Sequence, residues 1–193
     1  MTPSLRIAIA DDEPDMRRYF EKMLPRMGHE VVVTATSGRE LVEQCLVAKP
    51  DLVITDIKMP ELDGIQAADE LFRQRPVPVI LISAFHDEEL IERAESDHVL
   101  AYLVKPIKQA QLAPTIAIAI RRFAQFQAVQ KEANNLRQAL EDRKLIEKAK
   151  GIVMKRSNMD EAVAFRHLQK VASERNQKLV KLAEAIVVAN EVF

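Results

Sequence analysis

Apolar residues follow two regimes along this chain of 193 residues. In the first, they gather in short continuous runs at Leu5–Ala10, Glu30–Ala35, Leu52–Thr55, Val79–Ile82 and Ala101–Val104. Runs this short, rich in Val and Ile and bounded by Asp, Gly or Pro, predict buried strands. Stretches of helical character separate them: from about Pro14 to Met27, with Gly28 as its stop; Gly38–Lys49, ending before Pro50; Gly64–Arg75; and Asp87–Asp97. Strict alternation of strand and helix predicts an α/β fold with a doubly wound, five-stranded parallel sheet. Such a sheet binds ligands beyond the carboxyl ends of its strands.

From about Gln109 no strand-like run follows, no proline stands after Pro114, and Gly151 is the only glycine of the second half. Phe126, Val129, Ala133, Leu136 and Leu140 step along the chain as a heptad seam, preceded in slightly shifted phase by Ile116, Ile120 and Phe123. A helix over about 115–155 is therefore expected. Such a rod cannot bury its seam alone. A homodimer through a coiled coil is the simplest partner arrangement, and a hairpin with the final helices is the alternative. Two shorter helices are expected at the end. One starts at an Asn158–Glu161 capping box and turns Ala162, Phe165, Leu168 and Ala172 inward; the other carries Leu179, Leu182, Ala183 and Ile186 on one face. With Leu145, Ala149, Ile152 and Val153 these form a small three-helix core.

Charge divides the chain at the same place. Residues 1–120 hold 13 Lys and Arg against 20 Asp and Glu, net −7, whereas residues 121–193 hold 15 against 9, net +6. An acidic half and a basic half suit two tasks, the second compatible with a polyanion. No apolar run reaches about 18 residues, so no membrane span is expected. Met1-Thr2-Pro3-Ser4 leads straight into a strand, so secretion is not expected, and the single cysteine, Cys45, cannot make an internal disulfide and reads as a small core residue. A cytoplasmic location is the expectation.

The polar residues at the strand ends carry the chemistry. Asp11 and Asp12, Asp56, Ser83 and Lys105-Pro106 each follow an apolar run, so a parallel sheet gathers them at one edge. Three carboxylates, a hydroxyl and an ammonium suit a divalent cation and a phosphoryl group. A carboxylate and a phosphate repel one another, and a hard cation such as Mg2+ screens that repulsion. Asp56 is the candidate nucleophile, Asp12 and Asp11 the candidate metal ligands. Lys105 is placed to neutralise a phosphoryl oxygen and Ser83 to donate a hydrogen bond. Taken alone, Asp-Asp before Pro14 also fits an ordinary helix cap.

Residues 5 to about 120 resemble the receiver domain of two-component response regulators. The resemblance runs through Ala10-Asp11-Asp12-Glu13-Pro14, Asp51–Asp56, Met59-Pro60, Asp63-Gly64, Ser83-Ala84 and Tyr102–Pro106. It implies that Asp56 accepts a phosphoryl group from a histidine kinase through Mg2+, held by Asp11, Asp12, Asp56 and the main-chain carbonyl of Lys58. It further implies that Ser83 and Tyr102 move as a switch and that the peptide before Pro106 is cis. His98-Val99 stands where the family often has Gly-Ala.

Residues from about Leu136 to Val188 resemble the ANTAR module, a three-helix RNA-binding output of transcription antitermination regulators. The matching stretches are Arg143–Met154, with its Ala149-Lys150-Gly151 core, Glu161-Ala162, Phe165–Leu168, and Leu179–Ile186 around Ala183. The expected division is a receiver over 1–120, a coiled-coil linker over 121–136 continuous with the last receiver helix, and an ANTAR domain over 137–193. The resemblance implies a phosphorylation-dependent antiterminator that binds RNA hairpins of leader transcripts. Lys148, Lys150, Gly151, Lys155, Arg156 and Arg166 are the candidate RNA contacts. A DNA-binding output and a protein-binding output are the rival readings; a turnover enzyme is not expected.

Overall fold

The structure, a computed structural model, describes residues 3–83 and 99–192. The helix expected over 87–97, together with Ala84, Phe85 and His98, lies outside the described residues. The chain divides into two compact units, residues 1–127 and 128–193.

The first unit holds a five-stranded parallel sheet in the order β2-β1-β3-β4-β5, with β1 (Arg6–Ala10), β2 (Glu30–Ala35), β3 (Leu52–Asp56), β4 (Val79–Ser83) and β5 (Val99–Val104). The doubly wound parallel sheet is that expected from the alternation, and its order is the flavodoxin-like one that the receiver resemblance implies. Its alternating side chains divide between two cores. Ala8 and Ala10 face one side with Val33, Leu41, Val53, Leu71 and Leu81. Ile7 and Ile9 face the other with Phe20, Leu24, Ile54, Ile80 and Ile82. The period-2 pleat thus places small residues on one face and isoleucines on the other. Each fully buried isoleucine contributes roughly 1.5–3 kcal/mol of burial free energy.

The helices start where their caps lie. Helix α1 (Pro14–Arg26) opens on proline and is capped by Met27, and the chain turns away at Gly28, whose φ of 86° suits a residue without Cβ. Helix α2 (Gly38–Ala48) is capped by Ser37, whose side chain accepts from the Glu40 N–H. Helix α3 (Gly64–Gln74) begins with a capping box: Asp63 accepts from Gln66 N at 2.7 Å, and the Gln66 side chain accepts from Asp63 N at 3.1 Å.

Helix α4 runs from Gln109 to Ser157, 49 residues, longer at both ends than the heptad pattern indicated and passing through Pro114. Leu112, Ile116, Ala119 and Phe123 of its first part complete the isoleucine-faced core. Phe126 turns to Phe72 at 5.7 Å between ring centroids and to Phe123 at 6.5 Å.

In the second unit, the last part of α4 packs with α5 (Glu161–Glu174) and α6 (Leu179–Val192). Ala149, Ala183 and Val187 form one buried cluster and Leu168, Ala172 and Leu182 another, with Ile186 touching both. Two local expectations are corrected here. The cap of α5 is Asp160, which accepts from Val163 N at 2.8 Å, and not Asn158, which takes a left-handed φ of 49° beyond the end of α4. Of the residues expected inward, Phe165 is half-buried and Leu168 and Ala172 are buried, whereas Ala162 is exposed and Ala164 is buried instead. The seam residues Val129, Leu136 and Leu140 remain exposed, so α5 and α6 do not cover them and the hairpin alternative fails.

Candidate functional site

The sheet delivers its polar residues to one edge as the strand ends required. Asp11 follows β1, Asp56 ends β3, Ser83 ends β4 and Lys105 follows β5, whose next peptide, Lys105-Pro106, is cis. Asp12, Glu13, Asp56, Lys58, Ser83 and Lys105 line a pocket of about 200 Å3 together with Ile57 and Ile82.

Lys105 is its electrostatic centre. Its Nζ stands 2.9 Å from Asp56 Oδ1, 3.0 Å from Glu13 Oε1 and 3.2 Å from Asp11 Oδ2. Burial alone would lower the lysine pKa, but hydrogen bonds to Asp56 and Glu13 and the charges of Asp56 and Asp11 raise it, so the ammonium stays charged. Burial pushes the carboxyls of Asp56 and Asp11 above the usual carboxylate range, against the pull of Lys105 and of backbone donors. The other oxygen of Asp56, Oδ2, accepts from the Lys58 N–H at 2.8 Å, which fixes the carboxylate plane.

Asp11 and Asp12 do not act as helix caps. The N-cap of α1 is Glu13, which makes no side-chain cap, and Asp11 Oδ1 accepts from Glu13 N at 2.9 Å. Asp11 is 1% exposed, and its Oδ2 has the ion pair with Lys105 but no hydrogen bond. Carboxylate oxygens of Asp11, Asp12 and Glu13 lie within 4.8 Å of one another. A buried oxygen short of a donor, in an all-oxygen set beside solvent, fits a hard divalent cation. Asp56 joins this group through Lys105. Glu13 was not among the sequence candidates; its position beside Asp-Asp was the only signal. Tyr102 is half-buried and packs against the alanine-faced core.

The basic candidates of the second unit separate into two kinds. Lys148, Lys155, Arg156 and Arg166 are exposed, and Arg166 Nε donates to the Ala162 carbonyl at 3.3 Å. Lys150 departs from the expectation of an RNA contact. It is 8% exposed, its Nζ lies 2.7 Å from Glu161 of α5 and it pairs with Glu147 as well. The Glu147 and Glu161 hydrogen bonds raise its pKa. It is a structural cation joining α4 to α5. At Gly151 an added Cβ would meet nothing within 4 Å, so among the described residues no helix requires the glycine. Among the described residues no helix is long and apolar enough to cross a membrane.

Comparisons with known proteins agree with this architecture. The family model described as response regulator receiver domain matches residues 7–117, and that described as ANTAR domain matches residues 134–187. The transcriptional regulatory protein PdtaR of Mycobacterium tuberculosis is 40% identical over 182 residues, covering 94% of this chain and 89% of that protein. The chemotaxis protein CheY of Thermotoga maritima is 34% identical over 108 residues, 55% of this chain and 90% of its own length. A response regulator receiver domain protein from Clostridium thermocellum superposes with a TM-score of 0.58 at 30% identity, covering 63% of this chain and 98% of that one. The chain belongs to the response regulators, with a receiver domain followed by an ANTAR domain.

Proposed function

We propose that this response regulator is charged on Asp56 by a histidine kinase, and that the charged form binds RNA hairpins through its ANTAR domain and acts as a transcription antiterminator. The observation that carries the first half is the contact of Lys105 Nζ with Asp56 Oδ1 at 2.9 Å, beside the buried and under-satisfied Asp11 Oδ2. In the transfer, an Asp56 carboxylate oxygen forms a bond to phosphorus as the bond from phosphorus to the kinase histidine nitrogen breaks. Lys105 neutralises one phosphoryl oxygen, and Ser83 donates a hydrogen bond to another. Asp11, Asp12 and Glu13, with Asp56 and the Lys58 carbonyl, are the residues that would hold Mg2+, which supplies charge neutralisation between the two anions. Nothing here calls for turnover of an external substrate beyond this self-modification and its hydrolysis.

The ANTAR match supports the second half, together with the exposed Lys148, Lys155, Arg156 and Arg166. These cations suit phosphate contacts, whereas base reading falls to polar side chains, because aromatics are few in this half. The same reading takes the chain as a homodimer through α4. The test is binding to a pool of hairpin RNAs with and without beryllofluoride and Mg2+. Affinity that rises with the phosphoryl mimic and is lost in Asp56→Ala supports the proposal. With the mimic shown bound at Asp56, preference for duplex DNA or absence of nucleic-acid binding overturns it in favour of a DNA-binding or a protein-binding output.

A further inference from the structure

Arg17 stands at the end of the first turn of α1, a helix that begins with Pro14. The helix dipole, positive at the N-terminus, disfavours a cation there. The geometry gives the side chain a use for the position. Long helical side chains lean toward the N-terminus of their own helix, so Arg17 folds back over the loop that delivers Asp11, Asp12 and Glu13. One guanidinium nitrogen, Nη1, donates to the Asp11 carbonyl at 2.6 Å and to the Asp12 carbonyl at 2.9 Å. Among the described residues no loop or turn N–H donates to either carbonyl. The same two residues present their carboxylates to the pocket: Asp11 reaches Lys105 at 3.2 Å, and Asp12 lines the cavity.

We infer that Arg17 is a positioning residue for the cation site: by tying the Asp11 and Asp12 carbonyls to one guanidinium, it fixes the backbone from which their carboxylates converge. The inference rests on the reading that these carboxylates hold Mg2+, and adds to it a residue outside the pocket. The two carbonyls belong to the peptide planes on either side of Asp12. Fixing both planes fixes φ and ψ of Asp12, and with them the direction of its Cα–Cβ bond. That freedom is removed before a cation arrives. Groups that orient metal ligands without touching the ion commonly change affinity by about 10–100-fold. Charge alone has the opposite effect. A guanidinium beside an acidic pocket repels a second cation, so its removal by itself would tighten Mg2+ binding. Positioning and charge therefore differ in sign.

The test is titration of the full chain with MgCl2, followed by the NMR shifts of the Asp12, Glu13 and Lys58 amides. It compares the wild type with Arg17→Met, Arg17→Lys and Arg18→Ala. Arg17→Met keeps the apolar stem without its donors. Arg18 pairs with Asp15 instead, so its removal controls for the loss of a positive charge on the same stretch of helix. Arg17→Met is expected to bind Mg2+ roughly tenfold more weakly, and Arg17→Lys, which keeps the charge but not the planar fork, several-fold more weakly. Arg18→Ala is expected to bind as tightly as the wild type or slightly more so. Arg17→Lys, whose net charge is unchanged, carries the test where Arg17→Met does not fold. Equal affinity in all four proteins, or tighter binding by Arg17→Met, overturns the positioning role and leaves Arg17 a structural clasp of the loop. A wild type that takes up no Mg2+ overturns it together with the cation reading on which it rests.

Discussion

Gly64 lies against the backbone of Asp56 so closely that a Cβ on it would stand 2.0 Å from the Asp56 carbonyl oxygen. The first residue of α3 thus supports the strand end that carries the site, and its own N–H donates to the Ile57 carbonyl at 2.8 Å. Backbone cannot give way as a flexible side chain does. Gly64→Ala is expected to destabilise the receiver by about 3 kcal/mol and to impair Asp56 reactivity. Gly28→Ala, with nothing within 4 Å but a φ of 86°, should cost only about 1 kcal/mol. Thermal unfolding of the two variants checks the order; equal losses would refute the steric argument.

Lys105 separates three carboxylates, two of them buried. In Lys105→Met, Asp11 and Asp56 lose their counter-charge. The expected loss of stability is about 1–3 kcal/mol at neutral pH, below the range for fully buried pairs because the lysine is partly solvated. Beryllofluoride capture should fall together with it. Urea unfolding and a fluoride titration read the two effects, and an unchanged unfolding midpoint would show that solvent already neutralises the carboxylates.

His29 gives the receiver an acid limb. It is 7% exposed, its Nδ1 accepts from Leu5 N at 3.3 Å, and burial holds its pKa below the ordinary 6.5. As pH falls through 6.5, the unfolded chain takes up a proton that folded His29 refuses, so stability declines until the folded imidazole is itself protonated. His29→Gln should flatten this decline between about pH 7 and 5. Identical slopes for the two proteins in urea unfolding would assign the decline elsewhere.

Burial pushes the Cys45 thiol up to about 12. Reaction with a thiol reagent is expected only on unfolding, at the rate of the opening event. Fast labelling of the native chain would contradict the packing of α2.

Lys150 and Lys155 should respond differently to removal. Lys155→Ala is expected to weaken hairpin binding several-fold at about 0.15 M salt with unfolding unchanged. Lys150→Ala should lower the unfolding temperature of the second unit instead, since its partners are Glu147 and Glu161. Gel shifts beside circular dichroism separate the two, and a purely RNA-directed effect of Lys150→Ala would restore it to the interface.

The strands and the site at their ends were legible because a buried parallel strand is a continuous apolar run, and the run's end is visible in composition alone. Asp11, Asp56, Ser83 and Lys105 each interrupt such a run. The features that were missed depend on partners distant in sequence. Glu13 bends toward a lysine 92 residues away, and Lys150 is buried by a glutamate on the next helix. The ANTAR resemblance groups Lys150 with exposed lysines, and the sequence pattern says nothing of what crosses from α5. The shifted cap of α5 has a local cause: Asn158 and Asp160 are both capping residues, and only the left-handed turn at Asn158 decides between them.

The 15 lysines and arginines of residues 121–193 overstate what that half offers a polyanion. Lys144, Lys150, Lys170 and Lys181 each lie beside a carboxylate of their own chain. Those carboxylates act as resident counterions, covalently tied and therefore not released into solution when a nucleic acid docks. The entropy gained from expelled cations is set by the lysines and arginines outside such pairs. Association should therefore tolerate salt better than the full count of cations suggests, and discrimination among RNAs should depend correspondingly more on shape.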